Sequence, residues 1–156
     1  MESGPKTILI ALMVPVLLCC GGGYFLLSSA VDLKSRKARE FGDLVVQRVT
    51  TKKGWDAAAL HSMGNAQYQK TYSVADVAKA TDGPAQTLGT FVSGQGSVKI
   101  SAAGDSKTGQ GTTVEYQNRA KFTSGKAIVK IELAQNQDKS WAVTSFSIAP
   151  EKLDNP

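Results

Sequence analysis

No charged side chain occurs between Thr7 and Val31. A run of roughly 25 such residues exceeds the ~20 that a helix needs to cross the hydrocarbon core of a bilayer. Lys6 precedes the run and Asp32 closes it. A cleaved signal peptide would have a shorter apolar region of about 7–15 residues and a small-residue cleavage site. A lipoprotein signal would place a small residue before its cysteine, whereas Leu18 precedes Cys19 and Cys19 precedes Cys20. Apolar sequence then resumes as "YFLLSSAV", so cleavage before either cysteine would leave a second greasy segment behind. The expectation is an uncleaved membrane anchor in which Cys19 and Cys20 are small, fairly apolar passengers. Gly21 to Gly23 are tolerable in such a helix or form a close-packing face, and Pro15 gives a mild kink.

The formal charge of +5 would suit a nucleic-acid partner, but its position argues otherwise. Asp32 to Lys53 holds seven Lys/Arg against three acids, while Gly54 to Pro156 holds ten against nine. The surplus therefore lies beside the anchor, where Lys34, Arg36, Lys37 and Arg39 suit anionic lipid headgroups. An ordinary solvated helix face would carry the same residues. A nucleic-acid surface would spread basic residues over the folded domain with aromatics between them, and none is expected here. Flanking charge places the domain in the cytoplasm, whereas a single amino-terminal span commonly acts as an export anchor. The two signals oppose each other and leave the side of the membrane open. With no cysteine after Cys20, the rest of the chain can hold neither a disulfide nor a thiolate metal site.

Beyond the anchor, Leu33 to Thr50 reads as a helix with Phe41, Leu44, Val45, Arg48 and Val49 at helical spacing. "WDAAALHSMGNAQYQKTY" can form another, with Trp55, Ala58, Ala59 and Met63 on one side and a break at Gly64-Asn65. Ser73 caps the short "VADVAKAT", which Asp82-Gly83-Pro84 is expected to end. From about Gly96 the period changes to two. "SVKISAA" alternates, and in the next strand Val114, Tyr116, Asn118, Ala120 and Phe122 share one face. Ser124-Gly125 turns the chain, and Ala127, Val129, Ile131 and Leu133 point inward. In "SWAVTSFSIA", Trp141 and Val143 are out of phase with Phe146 and Ile148. One extra residue near Thr144-Ser145, a β-bulge, restores the pattern.

Helices first and an alternating meander afterwards imply an α+β layer with one wet sheet face. The expected organisation is a tail over 1–6, a transmembrane helix over 7–31 and a basic juxtamembrane helix over 32–53. An α+β domain over 54–150 and a C-terminal tail over 151–156 complete it.

"LGTF" at Leu88 to Phe91, "VEYQNRAKFTSGKAIVKIEL" at Val114 to Leu133 and "SWAVTSFSI" at Ser140 to Ile148 follow a recognisable order. A strand ending in an aromatic, a glycine turn, an apolar strand and a final tryptophan strand resemble small membrane-anchored or secreted domains of the cystatin-like, NTF2-like type. That resemblance implies helices lying across a curved antiparallel four-stranded sheet, and favours an extracytoplasmic domain. A weaker likeness, from the glycine-rich span plus small domain, is to membrane proteins of the cytochrome oxidase assembly factor type, with no motif to carry over. Fold analogy alone does not establish function.

Catalytic signals are absent from the sequence. His61 is the sole histidine, no HxxxH, CxxC or GxSxG occurs, and a metal site or cofactor is not expected. Gly94-Gln95-Gly96 and Gly109-Gln110-Gly111 read as loops. The scaffold itself suggests a pocket between helices and sheet, for which Tyr116, Asn118, Phe122, Ile131 and Trp141 are the candidates. The same side chains can equally fill a core. The expected function is a single-pass membrane protein displaying a non-enzymatic domain to a membrane-protein partner. The alternative is binding or sensing of a small apolar ligand in the inner pocket.

Overall fold

The computed structural model describes residues 32–102 and 111–151. The chain divides into two compact units, Met1–Arg36 and Lys37–Pro156. Thr7 to Val31 lies outside the described residues; among those described, no helix is long and apolar enough to cross a membrane. Residues 32–36, all that is described of the first unit, are helical.

The second unit opens with a helix over residues 37–50, α1. Ala38, Val45, Val46 and Val49 on it are fully buried, while Leu44 is 44% exposed and Arg48 is exposed. The buried stripe is thus turned from the expected one, which included Leu44 and Arg48. Ala38, Gly42, Val45 and Val49 form its centre, and the small residues among them admit a ring from the sheet.

Gly54 and Trp55 both have positive φ, 80° and 48°, and redirect the chain into α2 (Ala57–Ser62). A tryptophan in the left-handed region is unusual. Its ring is held by an Nε1–H bond of 2.7 Å to the Gly89 carbonyl and by Phe122, with centroids 5.6 Å apart. Asp56 caps α2, and Asn65 caps α3 (Ala66–Thr71), so the expected break at Gly64-Asn65 is present. Leu60 and Tyr68 carry the burial of these two helices, whereas Ala58 is exposed.

Ser73 and Asp76 form a reciprocal capping box at the start of α4 (Val74–Leu88). This helix does not end at Asp82-Gly83-Pro84 as expected. It runs on because Val77, Thr81, Ala85 and Leu88 lie on one buried face, and packing outweighs the local proline signal. Gly83 eases the passage, since it has no Cβ to meet the following proline ring.

Four strands follow: β1 (Phe91–Ala102), β2 (Thr113–Phe122), β3 (Gly125–Gln135) and β4 (Trp141–Pro150). They form an antiparallel meander in the order β1-β2-β3-β4. Val114, Tyr116, Asn118, Ala120 and Phe122 are buried, as are Ala127, Val129, Ile131 and Leu133, so both inner faces match the alternation in sequence. The bulge also falls where the sequence places it. Leu133 pairs with Val143 but Glu132 with Ser145, leaving Thr144 as the extra residue. Phe146 then pairs with Ile131 and Ile148 with Val129, on the covered face. Gly94-Gln95-Gly96 is a correction: it lies inside β1, pairing with Ala120, Arg119 and Asn118. The glycines sit there because β2 side chains occupy the space that a Cβ would need. Of the second glycine pair, Gly109 and Gln110 lie outside the described residues.

Candidate functional site

Five residues were expected to surround an inner pocket, and the structure distributes them through the core. Tyr116 and Ile131 are 0% exposed, Asn118 1%, Phe122 2% and Trp141 8%. The Tyr116 hydroxyl donates to Asp43 Oδ1 at 2.6 Å and accepts from Asn118 Nδ2 at 2.7 Å. Burial, and then the bond to Asp43, push the Tyr116 phenol above its ordinary value, so it stays protonated. The ring lies against Gly42 of α1 and Gly96 of β1. A Cβ built on either would come within 2.2 Å and 2.3 Å of ring carbons. Phe122 packs between Trp55 and Phe91. Asn118 Oδ1 and Trp141 Nε1 are buried with no partner among the described residues. None of the five lines the cleft that lies at the margin of β4.

That cleft, of about 350 Å³, opens at the margin where α2, α3 and α4 meet β4. Trp55, Leu60 and Val77 are among its apolar lining, Tyr68, Tyr72 and Phe146 add aromatic rings, and Asp76 is the one charged side chain. The volume is at the lower end of small-ligand sites, roughly 300–1,000 Å³. Tyr68 and Tyr72, one turn apart on and just after α3, bring their rings to 5.2 Å at 57°. Burial, then the neighbouring Tyr72, raise the Tyr68 phenol above its usual value. Its hydroxyl reaches solvent and bonds no described residue.

Asp76 is fixed at the rim by the α4 cap. Its Oδ2 accepts from the Ser73 backbone N–H at 3.0 Å and from Ser73 Oγ at 2.6 Å. These bonds hold its carboxyl below the ordinary carboxylate range, ionised at neutral pH. Its other oxygen, Oδ1, has no bonded neighbour among the described residues. Pro84 contributes differently: without an N–H it leaves the Ala80 carbonyl, also in the lining, without the usual donor four residues on.

His61 lies outside the cleft lining, and its Nε2–H donates to the Tyr72 carbonyl at 2.9 Å. That contact ties α2 to the end of α3. Among the described residues, no group of three His, Cys, Asp or Glu side chains gathers where it could hold a metal ion. Lys34 and Arg36 in the first unit, and Lys37 and Arg39 in the second, are exposed.

Sequence reading missed the cleft because its wall is a sheet edge, and strand order is a tertiary fact. The Tyr68–Tyr72 spacing was visible, but helical spacing alone does not separate a cleft wall from a core stripe. In comparisons with known protein families, curated proteins and solved structures, the chain matches none.

Proposed function

We propose that this chain is a membrane-tethered, non-enzymatic protein whose α+β domain, of the cystatin-like and NTF2-like type, binds a protein partner at the membrane. The anchor is Thr7 to Val31, and the basic residues Lys34, Arg36, Lys37 and Arg39 rest against lipid headgroups. Tethering raises the effective concentration of the domain toward membrane partners without any new contact. The observation that carries the binding role is the cleft at the β4 margin, where the exposed Tyr72 ring, the half-buried Phe146 and a largely buried apolar floor surround a single carboxylate. That carboxylate is already engaged by the Ser73 cap, and no second carboxylate, imidazole or amine lines the cleft beside it. General acid–base chemistry would call for such a partner.

A photo-crosslinking residue at Tyr72 in the full chain, irradiated in native membranes, tests this reading. Adducts to another polypeptide at Tyr72, and none from the wet sheet face at Lys130, are the expected result. Adducts to small molecules alone would transfer the cleft to the second reading, a small apolar ligand, which the aromatic lining also suits. Equal labelling at both positions would overturn the cleft as the contact site.

A further inference from the structure

Five consecutive residues of β4, Thr144 to Ile148, line the cleft. Successive side chains of a strand point to opposite faces, so a wall using every residue is made by the strand's edge. β4 is an edge strand of the sheet, and the direction of its backbone groups follows from the ladder. The Glu151 N–H donates to the Lys126 carbonyl at 3.1 Å, and Ala127 pairs with Pro150, so Glu151 faces β3 in a hydrogen-bonded pair. Antiparallel pairs alternate. Ala149, Ser147 and Ser145 therefore turn their N–H and C=O to β3, and Ile148 and Phe146 turn theirs outward. Pro150 fits the same phase, because its missing N–H would have faced away from the sheet.

Past the bulge, Val143 again faces outward, and there the edge is already occupied. Its N–H donates to the Met63 carbonyl at 2.8 Å and its carbonyl accepts from Asn65 N–H at 2.9 Å, a one-residue parallel bridge centred on Gly64. The corresponding groups of Phe146 and Ile148 have no partner among the described residues. The open edge is bounded by this bridge at one end and by Pro150 at the other. It faces α4 across a groove of about 350 Å³.

We propose that Phe146 and Ile148 receive an extended peptide segment of the partner, which adds to β4 in the groove beside α4 and sets a lysine or arginine against Asp76. This rests on the protein-binding reading above and names its contact. Main-chain bonds at a sheet edge give affinity, and pockets for alternate side chains give selectivity. Asp76, the single charge in the lining, complements a cation through its uncommitted Oδ1. The Tyr72 ring, exposed and backed by Tyr68, offers a face along which the stem of a basic side chain can lie. Apolar neighbours of that residue meet Ala80 and Pro84, which line the α4 side of the groove without being buried.

The test selects peptides from a random heptapeptide display library on the full chain in lipid nanodiscs. Selected peptides are expected to carry a basic residue and to slow hydrogen exchange at the Phe146 and Ile148 amides. Ile148→Pro deletes one outward donor without touching the β3 ladder and is expected to weaken binding roughly 3- to 10-fold. Asp76→Asn is expected to weaken basic peptides by a similar factor and to leave their neutral analogues unchanged. Failure to select any peptide, selection of acidic ones, or binding that leaves both amides unprotected would overturn strand addition. Crosslinks from Tyr72 in native membranes would then still support a protein partner held in another way, and their absence too would remove both readings.

Discussion

The hydroxyl of Tyr116, in the middle of β2, donates a 2.6 Å hydrogen bond to the carboxylate of Asp43, 73 residues earlier on α1. The bond pins the first helix of the domain to the centre of its sheet. Asn118, two residues along β2, donates to the same hydroxyl at 2.7 Å, so the oxygen both gives and receives. Tyr116→Phe would keep the ring and strand Asn118 Nδ2 and Asp43, and is expected to lower stability by about 1–3 kcal/mol. Chemical denaturation measures this directly, and a variant as stable as the parent would show that the network contributes nothing net.

The same tyrosine makes stability fall at high pH. Its folded-state pKa is raised above the unfolded value, so the contribution is fully present below the ordinary phenol range near 10. It is lost progressively as pH rises from that range toward the raised folded value, because the unfolded chain then binds fewer protons. Tyr116→Phe is expected to flatten that alkaline decline. A decline of equal slope in parent and variant would assign it to other groups.

Gly42 and Gly96 form the slot in which the Tyr116 ring lies, and a methyl group added to either meets the ring directly. Gly42→Ala and Gly96→Ala are each expected to cost about 1–3 kcal/mol, the usual penalty of overpacking. In a double-mutant cycle with Tyr116→Val the penalty is expected to shrink, since the smaller side chain vacates the slot. Additive losses would mean that the glycines serve the backbone instead.

Ser73 fixes both the start of α4 and the position of Asp76. Its Oγ accepts from the Asp76 N–H at 3.2 Å, and its own N–H donates back to the Asp76 carboxylate. Ser73→Ala is expected to destabilise by about 1 kcal/mol. With the Oγ–H donor gone and only the backbone N–H left, the Asp76 pKa is expected to rise part of the way toward that of an ordinary aspartate. The lowered value stabilises the fold above the usual carboxylate range, and that support fades as pH falls through it. NMR titration of Asp76 in parent and variant measures the shift, and identical titrations would detach the cap from the carboxylate.

If Thr7 to Val31 is the anchor proposed above, replacing Cys19 and Cys20 together by alanine is expected to leave the protein in the membrane fraction. Its appearance in the soluble fraction would establish lipid attachment at one of these cysteines.

Periodicity and turn chemistry determined the sheet. The inward series of β2 and β3, the turn at Ser124-Gly125 and the bulge at Thr144 are all legible in the order of residues, because a strand's side chains alternate locally. The Ser73 cap and the break at Gly64-Asn65 are local in the same sense. What the sequence could not decide involves parts of the chain that meet only after folding. The glycines of β1 read as a loop until Tyr116 and Asn118 fill the space above them. Pro84 reads as a helix end until Ala85 and Leu88 gain a surface to pack on. Phe146 and Ile148 read as strand residues like any other until the strand order leaves β4 at the edge with two residues' backbone groups facing outward. Local spacing specifies which way a side chain points; only tertiary packing decides whether a partner is waiting there.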